Sequence, residues 1–251
     1  MRLYILSLSL VAVCIPQHTK AATFPAEIHR CHPGETDCIV QTANDLLGSY
    51  ARKGLPAASF PVVEPFHLKK VQLTDGHSGS LNLKFSLRDV DVVGLSTVKF
   101  DRAVGFSPDP ATSKFELYGS LPKLTIRSKY NADGRILILP IQGDGDADIS
   151  FENVKFSTKF KPALHPKNGK MFLTVDKLKV LLEPQRMNIK LANLFNGDQA
   201  LGSHMNQFLN ENWSDVWVEL QPAVQSTISD IIKIILDNMF KDFAYQDFMD
   251  I

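Results

Sequence analysis

The feature that most constrains this chain is a long apolar stripe near its C-terminal end. Over 214–243, Val216, Leu220, Val224, Ile228, Ile231, Ile232, Ile235, Leu236, Met239, Phe240 and Phe243 recur at helical spacing, while Asp230, Lys233, Asp237 and Lys241 keep to a narrower polar face. Unbroken, a helix of that length runs about 45 Å. One neighbouring helix cannot cover so wide a stripe, so a larger element must wrap around it. Pro222 stands about two turns in and predicts a kink or a restart of the helix there.

The element that can do the wrapping precedes the stripe. From about 66 to 194 the apolar period changes from helical to two. Leu81, Leu83, Phe85 and Leu87 alternate with Ser80, Asn82, Lys84 and Ser86, and Leu124, Ile126, Ser128 and Tyr130 alternate with Lys123, Thr125, Arg127 and Lys129. Further strands are expected over 98–106, 115–121, 136–141, 147–160, 171–182 and 187–191. Turns are expected at Asp75-Gly76, Asp109-Pro110, Asp133-Gly134 and Asn168-Gly169. Strands joined by turns and not by helices form an antiparallel sheet with one apolar face. The apolar phase slips near Asn153-Val154 and again at 176–178, which predicts bulges that bend the sheet. Two shorter helices flank it. One carries Ile39, Ala43, Leu46, Leu47 and Tyr50 and is stopped by Gly54 and Pro56, before an extended connector over 55–65. The other carries Leu201, Met205, Phe208 and Leu209 and ends near Asn212. The fold class expected is α+β: a highly curved antiparallel sheet rolled around a long C-terminal helix, with a shorter N-terminal helix.

The first residues read as a secretory signal. Arg2 precedes an apolar run over 3–15, and Thr19-Lys20-Ala21 offers a small-x-small cleavage site, so a signal peptide over 1–21 and a single secreted domain over 22–251 are expected. Loss of Arg2 and Lys20 tips the balance of 27 basic and 27 acidic side chains slightly toward acid. No basic excess remains for a phosphate backbone, which argues against nucleic acid as a partner. Cys14 leaves with the signal. Cys31 and Cys38 remain, and an even pair in an oxidising compartment reads as a disulfide. His29 and His32 flank Cys31, but the spacing fits none of the usual zinc patterns.

Catalytic chemistry is missing from the sequence. It has no G-x-S-x-G, H-E-x-x-H, Walker loop or C-x-x-C, and the histidines after the signal lie in turns or connectors without a nucleophile nearby in sequence. The string Asp144-Gly-Asp146-Ala-Asp148 through Glu152 imitates the start of an EF-hand loop, but Ile149 stands where the sharp turn needs glycine, and a glycine-rich bend before a strand is the expectation. No enzyme activity, cofactor or metal is expected. Asn212-Trp213-Ser214 is a glycosylation sequon, and Asn212 is equally placed to cap the long helix.

Three groups of motifs, in order along the chain, carry a resemblance. The first comprises Cys31, Cys38, Gly54-Leu55-Pro56, Glu64-Pro65 and the strand end running from Asp91 to Gly94-Leu95. The second begins at Tyr130 and passes through Gly134 and Leu139-Pro140-Ile141 to Gly143 and Gly145. The third is Leu194-Phe195-Asn196-Gly197 followed by Leu209-Asn210-Glu211-Asn212-Trp213. In these the sequence resembles the takeout/juvenile hormone binding protein family of insect secreted proteins. It departs from the family's usual tail, having no proline in the stretch from Phe243 to Phe248.

The resemblance implies a sheet rolled around the long helix, as in the tubular lipid-binding domains, and carriage of a small hydrophobic ligand between them: a juvenile hormone-like terpenoid, a fatty acid or another lipid. Inward positions expected to line such a tunnel are Phe85, Leu124, Ile126, Tyr130, Phe151, Phe156, Val224, Ile228, Ile231 and Ile235. Ser128 and Tyr130 place hydroxyls on the same apolar face. Neither a stable membrane anchor nor a second subunit is expected. The rival reading is a filled core and an interaction module that docks through the apolar tail over 240–249.

Overall fold

The computed structural model describes residues 23–73, 83–167 and 169–250. The expected signal peptide, the Asp75-Gly76 turn and Asn168 lie outside them. Helix α1 (Thr36–Tyr50) is followed by strands β1 (Phe66–Leu73), β2 (Leu83–Val93), β3 (Lys99–Val104), β4 (Phe115–Ile136), β5 (Leu139–Lys167), β6 (Lys170–Glu183) and β7 (Arg186–Leu191), then by helices α2 (Gln199–Glu211) and α3 (Trp213–Phe240). All pairings are antiparallel, in one sheet of order β1-β2-β4-β5-β6, with β3 paired to β4 and β7 paired to β5. The α+β architecture expected from the alternation is the one observed.

The β4–β5 hairpin explains the curvature. Its strands are 22 and 29 residues long. Drawn straight, the longer would exceed roughly 90 Å, whereas a compact chain of this size has a radius of gyration of only about 18 Å. The hairpin must therefore curl. Of the two bulges expected from the phase slips only the one at Asp176 is found, because the β4–β5 register is unbroken at Asn153. The ladder skips a pair between Leu121↔Val154 and Lys123↔Glu152, where Asn153 takes a left-handed φ of 49°. Asp176 is the extra residue where β6 shifts register against Lys161 and Pro162. A third irregularity, at Asp89 in β2 (φ 50°), was not expected.

Three expectations fail because the surroundings outweigh local propensity. Asp133-Gly134 is not a turn but lies inside β4, with Gly134 opposite Leu83 on one side and Ile141 on the other. The chain reverses instead at Leu137-Ile138, with Leu137 at φ 52°, so the strand expected over 136–141 straddles the actual turn. Extending the hairpin buries Ile136 and Ile141, and the Leu137 N–H donates to Glu219 Oε2 at 2.7 Å, so tertiary packing outweighs turn propensity. Likewise Gly143 and Gly145 form no bend but sit within β5. Finally, α3 runs through Pro222 without a restart. The proline ring is exposed, and the carbonyl it leaves unpaired belongs to Val218 on the solvent side, where water can serve it.

The helices close the sheet by satisfying its edges. Asn44 of α1 exchanges two hydrogen bonds of 2.9 Å with the Phe100 backbone in β3. Asn206 and Asn210 of α2 do the same for Leu191 and Ile189 in β7, at 2.7–2.9 Å. On β6, the Val180 N–H donates to Ser229 Oγ at 3.0 Å and the Val175 N–H to Asp237 Oδ1 at 2.7 Å, both on α3. Open edge groups that would otherwise recruit another strand are thereby used up. Cys31 and Cys38 are bonded, with Cα atoms 5.7 Å apart.

Candidate functional site

The buried apolar side chains gather in two main clusters, with an interval between them that belongs to neither. One cluster of buried side chains, around Tyr130, Ile136, Met187, Leu194 and Val216, fills one end of the roll and takes in Leu220 and Val224 of α3. A second, around Phe115, Phe160, Leu173, Val175, Tyr245 and Met249, fills the other and takes in Leu236 and Phe240. A third lies under α1 and takes in Met239. Ile228, Ile231, Ile232 and Ile235 stand on α3 between these clusters, pack into none of them, and remain partly accessible. The strands cross the same interval, β4 with the partly accessible Leu117 and the buried Gly119 between Phe115 and Leu121, β5 with the buried Thr158 between Phe156 and Phe160, and β6 with the buried Val180 opposite Thr158. Measured along either α3 from Val224 to Leu236 or β4 from Phe115 to Leu121, this interval is about 18–20 Å.

The tunnel-lining candidates divide into two groups. Phe85, Tyr130 and Phe151 are core residues: Phe85 stacks on Tyr130 with ring centroids 6.1 Å apart, and Phe151 meets Trp217 edge-on at 5.4 Å. Tyr130 is fully buried and its hydroxyl donates to the Ala192 carbonyl at 2.7 Å. Burial, with a smaller contribution from the Asp144 charge, pushes that phenol up to about 12. Leu124, Ile126, Phe156 and Val224 pack against the first cluster but stay partly accessible, as do Ile228, Ile231 and Ile235 in the interval beyond. Ser128 is buried on the same strand face. Leu117, which also faces the interval, was not picked out from the sequence, because a single apolar residue in a long strand carries no signal of what it faces.

The tail closes the end with the second cluster. Beyond α3 the chain turns back, and Phe243, Ala244, Tyr245 and Met249 are all buried. Tyr245 Oη donates to the Ser107 carbonyl at 2.7 Å, the Asp250 N–H donates to the Cys31 carbonyl at 3.0 Å, and Lys170 Nζ pairs with Asp247 at 2.9 Å. Burial raises the Asp247 carboxyl, but hydrogen bonds from Lys170 and the Ala244 N–H hold it below its ordinary value. Beneath the tail lies an apolar cavity of about 160 Å³ lined by residues that include Ile39, Leu46, Phe115, Met239, Tyr245 and Met249. The apolar tail is thus spent on the fold and offers no free docking surface.

The metal-like string resolves into a surface ladder. Asp144, Asp146 and Asp148 lie on the outer face of β5 and pair with Arg88, Lys129 and Arg127. Asn212 stands at the N-terminus of α3 but caps nothing there, its Nδ2 donating back to the Phe208 carbonyl at 2.9 Å.

The profile of the family described as haemolymph juvenile hormone binding protein (JHBP) matches residues 7–250. This chain belongs to that family. Among curated relatives, the circadian clock-controlled protein daywake of Drosophila yakuba is 28% identical over 231 residues, and that of Drosophila melanogaster 26% identical over 233; each alignment covers 90% of this chain and 88% of the relative. Among solved structures, Epiphyas postvittana Takeout 1 superposes with a TM-score of 0.75 at 23% identity, over 88% of this chain and 99% of that one, so the fold is shared. In this JHBP family member the residues that carried the resemblance are scaffold residues. The Glu64 carboxylate accepts the N–H groups of Gly94 and Ser96 at 2.8–3.1 Å. A side chain on Gly143 would strike the Tyr130 hydroxyl and Leu194, and one on Gly145 would strike the Ala192 carbonyl. Asn210 holds the β7 edge. The motifs specify how the roll closes and leave the interval between its ends to interchangeable aliphatic residues.

Proposed function

We propose that this chain is a secreted carrier that holds a small hydrophobic molecule between sheet and α3, along Ile228, Ile231 and Ile235 of the interval and the adjoining partly accessible Leu124, Ile126, Phe156 and Val224, with Ser128 beside them and the core residues Phe85, Tyr130 and Phe151 as the packed scaffold behind. The observation that carries the reading is the row of α3 isoleucines that packs into none of the buried clusters. Isoleucines left partly wetted inside a fold forgo burial that an apolar guest would restore. Ten buried carbons contribute roughly 8 kcal/mol before association costs, so no catalytic group is needed for useful affinity.

The family's description and the 18–20 Å interval both suit a juvenile hormone-like terpenoid, a fatty acid or another lipid of similar length. Cleavage of the signal after Ala21 would deliver the protein to the extracellular space as one domain, and no helix among the described residues is long and apolar enough to cross a membrane. Asn212 is the proposed glycan acceptor, which an intact-mass measurement of the secreted protein would register. The function is tested by adding the fluorescent apolar probe N-phenyl-1-naphthylamine to delipidated protein. Saturable one-to-one binding, displaced by lipids, is expected; absence of binding by both probe and lipids contradicts the carrier.

A further inference from the structure

We propose that Ser128 is the polar anchor of this interior, and that it selects ligands whose polar end is an uncharged hydrogen-bond acceptor. The inference rests on the carrier reading and adds the chemistry of what is carried. Among the described residues, Ser128 Oγ is a buried side-chain oxygen with no hydrogen-bond partner, and the residue is only 9% exposed. Three other buried hydroxyls are engaged: Tyr130 with Ala192, Tyr245 with the Ser107 carbonyl, and Ser229 with both Val180 and Gln225. Folded proteins pair nearly all such groups, and one left bare asks for a partner from outside the chain.

Its position suits a ligand's end. Ser128 shares the inner face of β4 with Leu124, Ile126 and Tyr130, and its cross-strand neighbour is Ala147, a small side chain that offers the hydroxyl no polar partner. Leu124, Ile126 and the Ile126 partner Ile149 stay partly accessible, whereas Tyr130 and Ala132 on the other side of Ser128 are fully packed. Ser128 therefore stands at the boundary between partly accessible and fully packed positions on this face.

The surroundings exclude a charge. By register and burial, the inner face of β2, β4, β5, β6 and β7 carries no Asp, Glu, Lys, Arg or His among the described residues. The charged groups that α3 turns toward the sheet are committed, Lys233 and Asp237 to each other and to Val175, and Glu219 to the Leu137 N–H. A carboxylate reaching Ser128 would exchange its hydration for one hydroxyl, a poor compensation for a buried charge. An ester, ketone or epoxide oxygen needs one donor, and Ser128 supplies one.

The test compares methyl laurate, laurate and n-tridecane, each displacing N-phenyl-1-naphthylamine from delipidated wild-type protein, Ser128→Ala and Tyr130→Phe at neutral pH. The affinity for the methyl ester relative to the alkane should be roughly five- to tenfold higher in wild type than in Ser128→Ala, the worth of one hydrogen bond, and wild type should bind laurate most weakly. Ser128→Ala should lose the ester preference, keep its alkane affinity and melt no lower than wild type, because the hydroxyl has no partner in the chain. Tyr130→Phe should keep the preference. The proposal is overturned if Ser128→Ala retains the ester preference, if it melts several degrees lower with affinity for all three compounds falling alike, or if wild type takes laurate as tightly as the ester. Binding of probe and alkane with no effect of Ser128→Ala removes the anchor and leaves the carrier, whereas no binding of any compound removes both.

Discussion

Ile231→Phe separates a loose interior from a filled one. The substitution adds three carbons at a position that packs into none of the buried clusters. Val216→Phe is the matched control in the packed end, where Val216 is fully buried. Overpacking a filled site costs about 1–3 kcal/mol, and for a domain of this size each kcal/mol moves the melting temperature by about 2–4 °C. Val216→Phe should therefore melt about 3–10 °C below wild type, while Ile231→Phe should stay within about 3 °C of it or rise. Ligand binding should respond in the opposite order. Three carbons of guest displaced at about 0.8 kcal/mol each lose about 2.4 kcal/mol, a drop in affinity of roughly 50-fold. Thermal unfolding followed by circular dichroism on delipidated proteins gives the first quantity, and displacement of the fluorescent probe gives the second. If Ile231→Phe destabilises as much as Val216→Phe and leaves affinity unchanged, the interval is filled core and the reasoning fails.

Three further outcomes follow from the geometry. Tyr130→Phe removes the hydrogen bond to the Ala192 carbonyl and should cost about 1 kcal/mol in denaturant unfolding, while probe affinity stays within twofold; a stable variant with lost affinity would place Tyr130 in ligand recognition instead. Asn210→Ala removes both bonds to the Ile189 backbone at the β7 edge, and should cost a similar amount and speed amide hydrogen exchange in β7, an effect absent if water replaces the side chain without loss. Burial pushes the phenols of Tyr130 and Tyr245 up to about 12 from an ordinary 10.0. A group with a raised folded value stabilises fully below its unfolded value, so stability is intact below pH 10 and is lost progressively from there toward 12. Ultraviolet titration should show these two phenols ionising only with unfolding, and normal titration in a native fold would contradict their burial.

The parts of the fold legible in the sequence were those set by local periodicity. The stripe from Val216 to Phe240 can be buried only by something that wraps it, and the phase slip at Asp176 marks a real bulge. What was not legible depends on partners distant in sequence. Asp133-Gly134 has the right residues for a turn, yet the chain reverses four residues later, where Glu219, 82 positions away, receives the Leu137 N–H. Pro222 is harmless because its face of α3 is wet, which no local pattern encodes. The return of the tail to Cys31 joins opposite ends of the chain. For the interior, spacing identified which residues face inward but not which of them find neighbours. Phe151 and Ile231 read alike as inward apolar residues, and only packing separates them. Ser128 was visible as a hydroxyl on an apolar face, while its lack of a partner is a property of the folded chain alone.

The central claim, that the interval between the packed ends exists to be occupied, is tested most directly by native mass spectrometry of the full chain expressed in insect cells, before and after organic extraction. A stoichiometric hydrophobic adduct that extraction removes, and that an added lipid restores one to one, is the expected result. A protein that carries no adduct, and that acquires none when lipids are supplied, would contradict it.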